Sequence, residues 1–271
     1  MLIAQITDTH ITVPGRKADT LYRTAWHLER WVARLNALEP RPDVVLATGD
    51  LVNDGEAEEC LRLAQLLRPL AMPVFLIPGN HDDRASLLAA FPGHDYLPRD
   101  GGFLHYVVDA YPLRLIGLDT LVPGKVGGEI CEARATWLRD RLAEAPSRPT
   151  LIFMHHPPFR TGIAAMDALG LDGAGRFGEA VRPYTNIEAI VCGHLHRPIQ
   201  RRFAGTIVST APATAHQIGL VLGDGARPVI TLEPPACQLH LWLGENEGLV
   251  SHTIYLEEHA VTSAGATGTP A

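Results

Sequence analysis

Apolar residues in this chain gather into short runs that stop abruptly at carboxylate, amide or imidazole side chains. Residues 2–7, 43–48 and 73–77 are largely apolar and of strand length, so each predicts a buried strand. Between them the period changes. Residues 20–38 carry Leu21, Ala25, Leu28, Val32 and Leu35, and residues 56–68 carry Ala57, Leu61, Ala64 and Leu67, both at helical spacing. A short helix is predicted over 84–91. Such alternation predicts a parallel sheet covered by helices, an α/β fold. The second half differs. Residues 103–108 and 113–118 read as paired strands, 133–144 as a helix, and 150–154, 188–192 and 206–210 as strands. Residues 157–178 hold two prolines and five glycines with little periodicity. They and 217–238 read as loops lining a site. The small, polar tail 261–271 reads as disordered.

Composition narrows the class. With 271 residues, 46% hydrophobic and 20% charged, the chain can form one domain over 1–260 with a large core. A net charge of −7 argues against a nucleic-acid polymer as partner. Cys60, Cys131, Cys192 and Cys237 show no CxxC pairing and read as free thiols. The opening MLIAQITD is too short and too soon acidic for a signal peptide. No apolar run reaches the length of a membrane helix. The expected place is the cytoplasm, away from membranes.

The run endings carry the chemistry. They read IAQITDTH, DVVLATGD, VFLIPGNHD, TLIFMHHP and AIVCGHLH. In an open α/β sheet, ligands bind beyond the carboxyl ends of the strands. Five strand ends would deliver Asp8, His10, Asp50, Asn80, His81, His155, His156, His194 and His196 to one edge. Oxygen and nitrogen donors without thiolate suit Zn, Mn, Fe or Co, and the cluster is rich enough for two ions. Each part also has a plainer reading: Asp50 as a cap or turn residue, Asn80 as a left-handed turn residue. Asp8 and His10, two apart in an extended segment, project to one side, as do His194 and His196. His155 and His156, being adjacent, point to opposite faces. A nucleophile elbow and a P-loop are both absent.

D-x-H (Asp8, His10), G-D-x-x-N (Asp50, Asn53), G-N-H-D (Asn80, His81, Asp82), a late histidine (His155) and G-H-x-H (His194, His196) together resemble the calcineurin-type metallophosphoesterases over residues 1–216. LIPGNHDD, IFMHHPP, CGHLH and the run from Ser209 to Gln217 are similar to the bacterial class III cyclic-nucleotide phosphodiesterases and glycerophosphodiesterases. The resemblance implies a four-layer α/β/β/α sandwich with mixed sheets and the site at strand carboxyl ends. It implies that Asp8, His10 and His196 hold one ion, that Asn80, His155 and His194 hold a second, and that Asp50 bridges them through its two oxygens. His156 is then a packing histidine. His81 contacts phosphate and protonates the leaving oxygen. Asp82 orients His81 or fixes the loop, Asn53 contacts phosphate or ends the turn, and His216 is a late histidine near the site.

The implied reaction is attack of hydroxide, held between the two ions, on the phosphorus of a small diester. Phosphomonoesterase, phosphonate monoesterase, protein phosphatase and non-catalytic scaffold are the rival readings. Cyclic nucleotides and glycerophosphodiesters both fit, and the segments 12–22, 157–178 and 217–238 would discriminate. Association of the relatives through their C-terminal parts implies a homo-oligomer, with strands in 236–256 at the contact. His27, His94, His105, His240, His252 and His259 match no motif and read as surface or structural residues.

Overall fold

The computed structural model describes residues 1–223 and 227–257. The first half runs β1 (Leu2–Ile6), α1 (Lys17–Thr20), α2 (Thr24–Ala37), β2 (Val44–Thr48), α3 (Ala57–Leu67), β3 (Val74–Ile77) and α4 (Arg84–Ala90). Then follow β4 (Tyr106–Val108), β5 (Arg114–Leu118), β6 (Gly128–Glu129), α5 (Glu132–Glu144), β7 (Thr150–Met154), α6 (Ala164–Asp167), β8 (Leu171–Asp172) and α7 (Ala174–Val181). The rest is β9 (Ile187–Cys192), β10 (Ile199–Phe203), β11 (Thr206–Thr210), β12 (Gln217–Ile218), β13 (Ile230–Thr231), β14 (Ala236–Trp242) and β15 (Leu249–Tyr255).

Two large mixed sheets form. One has the order β15-β14-β1-β2-β3, the other β10-β11-β9-β7-β5-β4. β1, β2 and β3 are mutually parallel, as are β5, β7, β9 and β11. The sheets meet face to face, β2 against β7 and β3 against β5. Helices α2, α3 and α4 pack together along the first sheet, and α5 packs with α7 on the second. This is the expected four-layer α/β/β/α sandwich. Every residue of β2, β3, β5 and β7 is buried, because a sheet covers one face and helices the other. That double cover is why these strands read as apolar runs without alternation.

Three expectations change. The run endings do not share one sheet edge: three belong to the first sheet and two to the second. The expected β4–β5 pair forms, antiparallel, at one end of the second sheet. The predicted helix 20–38 is divided, because Arg23 turns left-handed at φ 52° and separates α1 from α2. Residues 157–178 are not loop throughout, since α7 buries Phe177, Ala180 and Val181 within a glycine-rich window that hid their spacing. Residues 236–256 do form strands, but β14 pairs with β1 in the body of the sheet, leaving β15 as the edge. The tail 261–271 lies outside the described residues.

Candidate metal centre

The strand ends that face each other across the sandwich turn back sharply. Asp8, His10, Asp50, His194 and His196 all have positive φ, between 43° and 69°. Among the described non-glycine residues only Arg23 and Ala204 share that conformation. Each such residue costs on the order of 1–3 kcal/mol and persists only where its surroundings impose it. The extended geometry expected for Asp8-x-His10 and His194-x-His196 is therefore corrected. Their side chains converge because the chain reverses at each of them. The Asp8 and His10 amides donate to the Gly49 and Asp50 carbonyls at 3.0 Å, stitching the turn after β1 to the turn after β2. Two glycines permit the crowding. A Cβ on Gly79 would overlap Asp50, and one on Gly193 would strike Thr7 and approach Asp8 Oδ2 to 2.8 Å.

On one side of the centre, His10 Nε2 lies 3.2 Å from His196 Nε2, which lies 3.2 Å from Asp8 Oδ1. His196 Nδ1 donates to the His216 carbonyl at 3.0 Å, so in the neutral ring Nε2 carries a lone pair toward the centre. On the other side, His155 Nε2 stands 3.3 Å from both Asn80 Oδ1 and Asp50 Oδ2. His155 Nδ1 donates to the Thr48 carbonyl at 2.8 Å. His194 Nε2 donates to the Leu169 carbonyl at 3.0 Å, which leaves its Nδ1 as the acceptor. Asp50 Oδ2 is also 3.9 Å from His10 Nε2. One carboxylate oxygen thus faces both sides. Oδ1 accepts the His81 amide at 2.9 Å and keeps a second lone pair. Converging imidazole lone pairs with ring orientations fixed by carbonyls, beside carboxylate and amide oxygens, form a donor set that fits divalent cations.

Electrostatics agrees. Asp8, His10, Asp50, His155, His194 and His196 are all buried. Burial would raise Asp8, yet the adjacent His196 holds it at about 2. Burial would likewise raise Asp50, and His155 holds it well below the usual carboxylate range. In return, burial would lower His155, but Asp50 and Asp8 raise it to about 9, and Asp8 raises His196 against burial. Burial and the neighbouring His155 push His194 down to about 4. In the protein alone the two buried carboxylates thus raise two imidazoles that point at the centre. Those are places where a cation would relieve the same negative charge.

The remaining expected residues divide. His81 sits exposed at the mouth, its ring edge-on to His10 at 4.7 Å, and its Nδ1 donates to the Asn53 carbonyl at 2.6 Å. Asn53 thus serves here through its backbone. Of the two roles expected for Asp82, its contacts serve the fixing of the loop. Its buried carboxylate accepts the amides of Leu51, Val52 and Gly79 at 2.8–3.1 Å and locks the loop. Burial, then Asp50, pushes Asp82 up to about 7. His156, beside His155 and His194, has Nδ1 2.7 Å from Thr120 Oγ1 and Nε2 3.0 Å from the Val126 carbonyl. His216 is buried, its ring 4.9 Å from His196 and 5.3 Å from His10. Burial, then His196, lowers it to about 3, so it is a neutral imidazole.

Sequence reasoning missed three contributors. The Tyr22 ring stacks on His216 at 4.3 Å. The Thr7 hydroxyl donates to Asp8 Oδ2 at 2.7 Å. The carbonyls of Thr48, Leu169 and His216 orient three histidines, and a carbonyl leaves no trace in residue identity.

The sequence profile of the calcineurin-like phosphoesterase family matches residues 1–198. A probable glycerophosphodiester phosphodiesterase, GpdQ, of Arcobacter nitrofigilis is 35% identical over 94% of this chain and 93% of its own. A probable cyclic nucleotide phosphodiesterase of Rhodopseudomonas palustris is 37% identical over 87% of this chain and 86% of its own. The crystal structure of a dimetal phosphatase from Danio rerio superposes with a TM-score of 0.62 at 16% identity, covering 95% of this chain and 99% of that one. Profile, relatives and fold agree with the strand-end cluster of aspartates and histidines, and the chain belongs to the calcineurin-like phosphoesterase family.

Proposed function

We propose that this chain is a metal-dependent phosphodiesterase acting on small diesters of the glycerophosphodiester or cyclic-nucleotide type. The observation that carries the reading is the position of Asp50 Oδ2, within 3.3 Å of His155 Nε2 and 3.9 Å of His10 Nε2. A single carboxylate oxygen between two groups of imidazole and oxygen donors suits a pair of cations. Asp8, His10 and His196 would hold one ion, Asn80, His155 and His194 the other, and Asp50 both. When bound, such ions supply Lewis acidity that lowers the pKa of a water and neutralises charge on phosphoryl oxygens. Donors without thiolate favour Fe, Mn, Zn or Co. The names of the relatives support a diester over a monoester.

The residues around the ions have separable tasks. The Asn53 carbonyl accepts the His81 Nδ1–H hydrogen bond and leaves Nε2 at the mouth. There it can hold a proton for the departing alkoxide, as a general acid. His216, neutral and stacked on Tyr22, forms a wall where the alcohol part of the substrate would lie. Asp82 keeps the 50–52 turn and the Gly79 turn together, so that Asp50 and Asn80 stay in register. We further infer a homo-oligomer, since β15 offers an open sheet edge with Val250 exposed. No helix among the described residues is long and apolar enough to cross a membrane. Free cysteines, three of them buried, suit the cytoplasm as the place of action.

The test compares bis(p-nitrophenyl) phosphate with p-nitrophenyl phosphate on protein whose metal content is measured in the same sample. Two ions per chain and faster diester hydrolysis are expected. A faster monoester reaction at saturating metal would overturn the diesterase assignment, and a firm stoichiometry of one would overturn the paired site.

A further inference from the structure

Beneath the centre a polar side chain is buried between the two sheets. Gln5 is fully buried in β1, three residues before Asp8, which is about 10 Å along a strand. Its amide nitrogen donates to Thr48 Oγ1 at 2.9 Å and to the Cys192 carbonyl at 3.0 Å. Its amide oxygen lies 3.1 Å from His240 Nε2, and His240 Nδ1 lies 2.7 Å from Ser251 Oγ. Gln5 can only accept at that oxygen, so His240 donates from Nε2 and accepts a hydrogen bond from the Ser251 hydroxyl at Nδ1. Burial lowers His240 to about 4, in keeping with the neutral ring.

The reach of this network is unusual. Gln5 joins β14, its own β1 and β2 in the first sheet to β9 in the second. β1 leads to Asp8 and His10, β2 to Asp50, and β9 to His194 and His196. The Thr48 carbonyl, one atom group from the hydroxyl that Gln5 holds, accepts the His155 Nδ1 proton. Six of the seven candidate ligands therefore depend on backbone that Gln5 or its direct partner touches.

Energy does not account for it. A fully satisfied buried amide contributes little net stability, and an apolar group of the same shape can do as well. Apolar packing has no direction, however, so two sheets held by hydrocarbon alone have tolerance to slide. A centre whose ligands come from both sheets needs placement within about 0.5 Å. Directional bonds across the sheet interface supply that.

We propose that Gln5, held by His240 and Ser251, is a positioning residue that sets the spacing between the two sides of the metal centre. The inference rests on the two-ion reading given above. It assigns His240 a task although the histidine matches no motif.

The experiment uses the full chain with Gln5→Met and His240→Leu combined, which removes both partners and keeps their volume. Thr48→Val is made separately and deletes only the hydroxyl that Gln5 holds. Thermal unfolding, stepwise manganese affinity by calorimetry, and kcat and KM on bis(p-nitrophenyl) phosphate are measured beside the parent. Unfolding temperatures within a few degrees of the parent are expected. The weaker manganese step should lose at least about tenfold in affinity, and kcat at least about tenfold, with KM within about twofold. Parent-like metal steps and kcat in both proteins would overturn the proposal, whatever the change in unfolding temperature. Should the double variant not fold, Thr48→Val decides alone by the same criteria. If the parent itself binds one ion or cleaves no diester, the two-ion reading has failed, and that result is distinct from variants matching an active parent.

Discussion

The floor of the site and its rim are built on opposite terms. On the floor, Asp8, Asp50 and His155 are at most 3% exposed, and much of the backbone there is held left-handed. Each floor histidine with an assigned partner spends its second nitrogen on a carbonyl of Thr48, Leu169 or His216. On the rim, His81 is exposed and its ring is tied by one hydrogen bond to Asn53. Tyr22 is half-buried and held by its stack on His216. Farther out, Leu220, Leu222 and Leu232 stand 58%, 64% and 69% exposed around β12 and β13. The difference teaches a division of labour. Rigid, strained residues suit the holding of cations, and loosely held ones suit contact with the variable part of a substrate.

The sharpest way to break that division is Asp50→Ala. It removes the oxygen facing both sides and the acceptor of the His81 amide together. Metal content should fall toward zero, and diester hydrolysis by at least about 10³-fold, since the Lewis acidity of bound ions is worth several kcal/mol. Retention of two ions by the variant would refute the shared role of Asp50.

His81→Ala should instead leave metal content near normal while kcat falls about 10²–10⁴-fold, the usual worth of general acid help. The loss should be smaller for a p-nitrophenolate leaving group than for an alkoxide, because the former needs little protonation. Metal loss equal to that of His155→Ala, or an equal defect with both leaving groups, would move His81 from rim to floor.

Proton linkage sharpens the floor. His155 is raised to about 9 by Asp50 and Asp8, so in the protein alone it holds a proton through neutral pH. A cation must displace that proton. Apparent metal affinity should therefore rise with pH, about tenfold per unit for one proton released, and level off above about 9. The same raised value means that His155 stabilises the metal-free fold fully below about 6.5, and that this contribution disappears as pH rises through about 9. Metal titrations across pH 6–10, with proton release followed in two buffers, check the sign. Affinity that is flat over this range would contradict it.

Tyr22→Ala should have the smallest effect. A ring contact is worth about 0.5–1.5 kcal/mol, so a change of a few-fold to about tenfold is expected, chiefly in KM. Its size should differ between a cyclic nucleotide and a glycerophosphodiester if the rim reads the alcohol. An identical shift for both substrates would place Tyr22 with the structural residues.

Much of this was legible in the sequence, for a physical reason. Strands buried on both faces must be apolar without interruption, so each announces itself and its end. A cation needs particular donor atoms, so Asp8, His10, Asp50, Asn80, His155, His194 and His196 stood out by type and by position after such runs. Local spacing also separated His155 from His156. What only the tertiary structure decided depends on groups that residue identity does not encode, or on partners far away in the chain. The division of strand ends between two sheets follows from the β4–β5 turn. The placing of Asp50 Oδ2 between His10 and His155 depends on residues of distant turns, and the task of Asp82 on three amides of neighbouring turns. The Gln5–His240 contact joins residues 235 apart. Hydrogen bonds to main chain can be made by any residue, and long-range pairs exist only once the sheets have met, so neither leaves a pattern along the chain.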